Sequence, residues 1–128
     1  MNKYLLLSSI ITGILLLRII YKKYNNNYLI LYFFIILGII TSILNHGTSC
    51  KLLKYLDRLI IVLNILYINL FIYKNRDIIK NKMIVYISLI IAVICYISSK
   101  FNKNFYIKSY IHCCSHLLAV PLLYNIHY

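Results

Sequence analysis

Residues 28–44 read YLILYFFIILGIITSIL, a run with no charged position. A soluble amphipathic helix would place polar residues on one face at the 3.6-residue period. This run is apolar all round and close to the ~20 residues that carry a helix across a ~30 Å hydrocarbon core. Four further apolar runs flank it, at 4–21, 59–73, 83–98 and 106–124. Most of the charge lies between them, in segments 22–27, 45–58, 74–82 and 99–105. The expected fold is therefore all-α: one polytopic transmembrane helical bundle over residues 1–128, with about five spans.

Composition agrees. Charged residues make up 12% of the 128, half the roughly 25% of soluble chains. The runs lack the two-residue alternation of a membrane β-barrel. Tyrosines at their ends (Tyr4, Tyr21, Tyr28, Tyr73, Tyr106, Tyr124) suit a belt at headgroup depth. The brevity of the third and fourth runs suggests a thin bilayer or helices shielded by neighbours. Run one is followed by Arg18, Lys22 and Lys23 rather than a small-residue cleavage site, so it reads as a retained span, not a signal peptide.

The net charge is +12, from 14 Lys and Arg against Asp57 and Asp77. Nucleic acid is not the expected partner, because the cations sit in short clusters between apolar runs rather than on a soluble face. Such clusters set topology and meet anionic headgroups. Lys3, Lys51, Lys54, Arg58, Lys100, Lys103 and Lys108 fall on one face of a five-span protein. Arg18, Lys22, Lys23, Lys74, Arg76, Lys80 and Lys82 fall on the other. The even split leaves orientation open.

Polar groups near the spans carry the chemistry, since each is costly there. Run two ends TSILNH, with Ser42 and His46; run three begins beside Asp57; run five contains IHCCSH, with His112 and His116. With five spans all five residues lie toward one membrane face. His112 and His116, four apart, share one helix face and can share a cation. Ser42 stands one turn deeper than His46 on a common face. Three imidazoles leave a fourth position for water, the pattern of catalytic zinc, and zinc lowers the pKa of such a water towards ~7. Asp57 would handle its proton, and Ser42 would hydrogen-bond the oxyanion of an acyl substrate.

The order Ser42-x-x-x-His46, then Asp57 eleven residues on, then His112-x-x-x-His116 resembles the CREST superfamily of membrane hydrolases, which includes alkaline ceramidases, adiponectin-receptor-like and hemolysin-III-type proteins. The resemblance implies zinc held by His46, His112 and His116, with Asp57 beside the metal-bound water and Ser42 close to the metal. It implies hydrolysis of an amide or ester bond in a membrane lipid. Family members generally have seven spans. The loss of a pair between Asp57 and His112 keeps the sidedness of the last span and removes walls of a lipid pocket, which a homo-oligomer would be one way to restore.

Blander readings stand beside these. The histidines would be interfacial, Asp57 a helix cap or first-turn charge, and Ser42 a packing serine. The chain would then be a non-catalytic membrane component. Cys50, Cys95, Cys113 and Cys114 form no CxxC and are expected to pack as small residues. Asn64 and Asn69 are expected to bond between helices, Pro121 to kink run five near Leu117, and His127 to lie on the opposite face from the site.

Overall fold

The computed structural model describes residues 2–77, 79 and 81–126; Lys80 and His127 lie outside them. The described elements are helical: α1 Lys3–Lys22, a 3-10 turn Asn26–Tyr28, α2 Leu29–Gly47, α3 Lys51–Lys74, α4 Lys82–Phe101, α5 Phe105–Leu117 and α6 Ala119–Ile126. Asparagines set several starts. Asn2 accepts a hydrogen bond from Leu5 N at the head of α1, and Asn104 accepts from Tyr106 N and Ile107 N at the head of α5. Each satisfies amide hydrogens that the first turn leaves without helical acceptors.

Among the described residues, four helical segments are long and apolar enough to cross a membrane: Lys3–Lys22, Asn26–Gly47, Lys51–Lys74 and Lys82–Phe101. The fifth run is split. α5 ends at Leu117, and α6 begins two residues later with Pro121 in its first turn. Proline has no N–H to give the Leu117 carbonyl, and its ring crowds that oxygen, so the helix is interrupted where a kink is expected.

Several expectations are corrected. α3 begins at Lys51 rather than 59, and only Thr48–Cys50 separate it from α2, so Asp57 is neither cap nor first turn but lies almost two turns inside the helix. The segment 51–58 is too charged for a hydropathy window, yet Lys51, Lys54 and Arg58 recur at helical spacing. α3 and α4 are neither short, at 24 and 20 residues, nor shielded: in α3 only Asp57, Phe71 and Ile72 are buried. Tyr28 is buried rather than at a rim, its ring edge-on to Phe71 at 4.9 Å.

The helices form a row that curls on itself. α1 packs on α2 and on α5 and α6, α2 packs on α3, and α4 packs on α5 and α6. α3 and α4 are the two ends of the row and have no comparable contact with one another. The main core closes the end of the bundle where α2 and α4 begin, with Leu31, Ile72, Val85, Leu123 and Ile126 almost wholly buried. The other end holds the polar site. Between α2 and α3, the Asn64 amide donates to Phe34 O and Ile60 O, both at 3.0 Å, an interhelical tie. Among the described residues Asn69 bonds only within its own helix, to Ile65 O, and is exposed, contrary to expectation.

α1 and α2 meet closely at Gly13, where a Cβ would stand 2.8 Å from Ile39 Cγ2. That methyl sits on a stiff β-branch. Gly13→Ala is expected to destabilise the protein by about 1–3 kcal/mol, read as a lowered thermal midpoint in detergent. An unchanged midpoint would show that this helix pair is not tightly seated.

Candidate metal centre

The final turns of α2 bring Asn45 and His46 to the polar end of the bundle, and α5, capped by Asn104, delivers His112 and His116 from one face. The three rings meet. Centroid separations are 5.3 Å for His46–His112, 5.5 Å for His46–His116 and 4.8 Å for His112–His116. One donor nitrogen from each lies within 4.8 Å of the others. Nitrogens sharing a tetrahedral zinc with bonds of ~2.0–2.1 Å stand roughly 3.3 Å apart, a difference that modest side-chain rotations close.

Burial makes the cluster chemically meaningful. His46 and His112 are 7% and 5% exposed, and the Nε2 atom of each has no hydrogen-bond partner among the described residues. An unpartnered buried polar nitrogen costs on the order of 1–3 kcal/mol, and coordination to a shared cation would satisfy both at once. The donor set, three imidazoles without thiolate, fits zinc or another divalent metal that accepts nitrogen.

The third histidine is oriented from α1. His116 Nδ1 lies 3.0 Å from Ser8 Oγ and 3.3 Å from Ser9 Oγ. Both hydroxyls donate their single hydrogen to Leu5 O, at 3.0 and 2.8 Å. With their hydrogens so placed they can act as acceptors toward a ring that carries its hydrogen on Nδ1, the tautomer that leaves the Nε2 lone pair for a ligand. A hydrogen bond behind a ligating imidazole fixes both tautomer and ring angle. If the three histidines hold a metal ion, replacing Ser8 and Ser9 together by Ala is expected to weaken its binding about 10–100-fold. A competition titration against a chelator measures it; unaltered affinity would show that His116 needs no such support.

Ser42 Oγ shares a hydrogen bond with Ser9 Oγ at 3.1 Å. It joins the cluster through α1 rather than directly. Asp57, 3% exposed, accepts from Asn45 Nδ2 at 2.6 Å through Oδ2, while Oδ1 has no partner among the described residues. The N-terminal segment ties the site together: Asn2 N donates to His46 O at 3.3 Å, and Asn2 Nδ2 donates to Ser109 Oγ at 2.8 Å. From α4 the Tyr96 ring meets His112 edge-on at 5.4 Å, with Lys100 Nζ 4.5 Å from the same tyrosine ring centre.

Two cavities meet at the histidines. One, of about 210 Å³, runs into the bundle from Ser42, His112 and His116 to Leu16, Ile35 and Leu89. Its walls are almost wholly apolar, and α3 and α4 line its two sides. The other, of about 350 Å³, opens at the polar end over His46, Asp57 and His112. His112 lines both.

The structure thus brings His46, His112 and His116 into one cluster, puts Asp57 in the same vestibule and sets Ser42 at the head of the apolar cleft. Sequence reading missed Ser8, Ser9, Asn45 and Tyr96. A signal for the first two existed: Ser8, Ser9 and Thr12 are polar residues inside an otherwise apolar span, as costly there as the histidines. All four cysteines are free thiols. No family model, curated protein or solved structure matches this chain.

Proposed function

We propose that this protein is a multi-pass membrane hydrolase of the kind its sequence resembles, the CREST superfamily, cleaving an amide or ester bond in a membrane lipid. The observation that carries the reading is the gathering of three histidines from α2 and α5, two buried and one half-buried, where an apolar cleft meets a polar vestibule. α5 and α6 together act as a fifth span: their residues 105–126 rise about 33 Å at 1.5 Å per residue, enough for a ~30 Å core.

His46, His112 and His116 would hold zinc, whose contribution when bound is Lewis-acid activation of water and polarisation of an acyl carbonyl. The chain supplies the rest. The apolar cleft takes the acyl chain and keeps water from it. Asp57, its Oδ2 fixed by Asn45, has Oδ1 free to accept a proton from the attacking water. The water oxygen bonds to the acyl carbon, the C–N or C–O bond breaks, and the proton held at Oδ1 passes to the leaving nitrogen or oxygen. Ser42 at the cleft head is in place to turn its hydroxyl from Ser9 to the developing oxyanion.

The test is metal content by mass spectrometry on detergent-purified protein, with release of fatty acid from ceramide and ester lipids assayed on the same sample. Near-stoichiometric zinc with zinc-dependent fatty-acid release supports the reading. A zinc-free protein that gains no activity on zinc addition would overturn it.

A further inference from the structure

The vestibule above the histidines is basic to a degree that hydrolysis does not require. Lys51, Lys54, Arg58, Lys100 and Lys108 line it, and Asp57 is the single carboxylate among its lining residues. These cations come from separate elements: three from the first two turns of α3, one from the end of α4 and one from the start of α5. They converge only because the bundle closes in this order. Asp57 is already held by Asn45, so one acid does not neutralise five bases. Arg58 adds a planar donor fork suited to a phosphate oxygen pair, and the lysines add point charges. The same cavity shares His112 with the apolar cleft.

We infer that the vestibule binds a phosphate-bearing headgroup, so that the lipid handled at this site is an anionic acyl phospholipid, not a neutral one. This rests on the hydrolase reading for the fate of the lipid but not for its binding. The acyl chain lies in the cleft between α3 and α4, and the phosphate sits among Arg58, Lys100 and Lys108. The scissile acyl bond, which joins chain to headgroup, falls at the histidines where the two cavities meet. The cleft, at about 210 Å³, is many times the roughly 10–15 Å³ that one water occupies. Its gap between α3 and α4 offers a chain sideways access from the bilayer.

The experiment is native mass spectrometry of the intact protein in detergent with phosphatidic acid or phosphatidylcholine of identical acyl chains. Wild type is compared with the double variant Lys100→Gln, Lys108→Gln, and with Lys22→Gln, Lys74→Gln at the opposite face. Zinc is counted in every sample. Wild type should retain phosphatidic acid in preference to phosphatidylcholine. That preference should fall about fivefold for each vestibule charge removed, stay intact in the opposite-face variant, and withstand excess inorganic phosphate. Equal retention of both lipids would overturn the inference, as would equal losses in the two double variants, which would mark a general attraction of a basic protein. Displacement of phosphatidic acid by inorganic phosphate would also overturn it, identifying the site as one for a free anion. Normal zinc without phosphatidic acid preference rejects the headgroup assignment alone. Full preference in a protein that never takes up zinc rejects the hydrolase reading and leaves the headgroup site standing.

Discussion

His112→Ala, purified in detergent beside wild type, is expected to lose the zinc proposed for the three-histidine site. Four-ligand structural sites bind zinc with ~10–16 kcal/mol, so a single ligand accounts for about 2.5–4 kcal/mol, or roughly 10²–10³ in affinity. His112 is the most exacting choice, because it is buried, its Nε2 has no other partner among the described residues, and its ring touches both other histidines and Tyr96. Truncation also opens a hole beside Tyr96, so His112→Gln, which keeps more of the volume, separates loss of ligand from loss of packing. His46→Ala and His116→Ala should behave alike, since the three donors stand within 4.8 Å of one another. Full metal content in all three alanine variants would remove the site.

Under the proposed hydrolase reading, Asp57→Asn is expected to keep the metal and lower hydrolysis by about 10²–10⁴-fold, the usual worth of a positioned general base. The substitution is nearly isosteric. A side-chain carbonyl still accepts the 2.6 Å bond that Asn45 Nδ2 now gives to Oδ2, so packing between α2 and α3 should survive. What disappears is a carboxylate oxygen with no competing partner among the described residues. Metal content and fatty-acid release, measured on one preparation, distinguish the outcomes. Retained zinc with an unchanged rate would deny Asp57 its proton-handling role. If the function of the protein in its membrane also survived the substitution, the non-catalytic alternative would be favoured.

Together these variants separate holding a metal from using it. The serine pair of α1 adds a third level, since Ser8 and Ser9 orient His116 without offering a ligand themselves. The expected effects are graded accordingly: largest for a ligand, smaller for its orienting hydroxyls, and confined to rate for Asp57.

Much was legible in the chain alone. Apolar runs reveal helices because, in a membrane or a bundle, backbone groups must be satisfied within the segment and side chains must suit an apolar surround. The i, i+4 spacing of His112 and His116 places both on one face whatever they touch. His46 and Asp57 could be assigned to the same end by counting crossings, and Pro121 marks the break in run five by its missing N–H. Hydropathy failed at 51–58 because helix formation depends on the backbone, whereas a hydropathy window registers only side-chain polarity. Lys51 and Lys54 sit in a helix while remaining exposed, and Arg58 is half-buried there.

What only the tertiary structure decided is which faces meet. Ser8 and His116 are 108 positions apart, and no periodicity says that α1 lies between α2 and α5. The same closure makes Ser9 the link between Ser42 and His116, moves Tyr28 from the rim into the core, and leaves Asn69 facing outward while Asn64 turns to α2. It also collects lysines of three helices into one vestibule. Local sequence determines helices and their faces because those depend on neighbours within a turn or two. The site depends on contacts between distant segments, whose pairing is set by how all the helices pack at once.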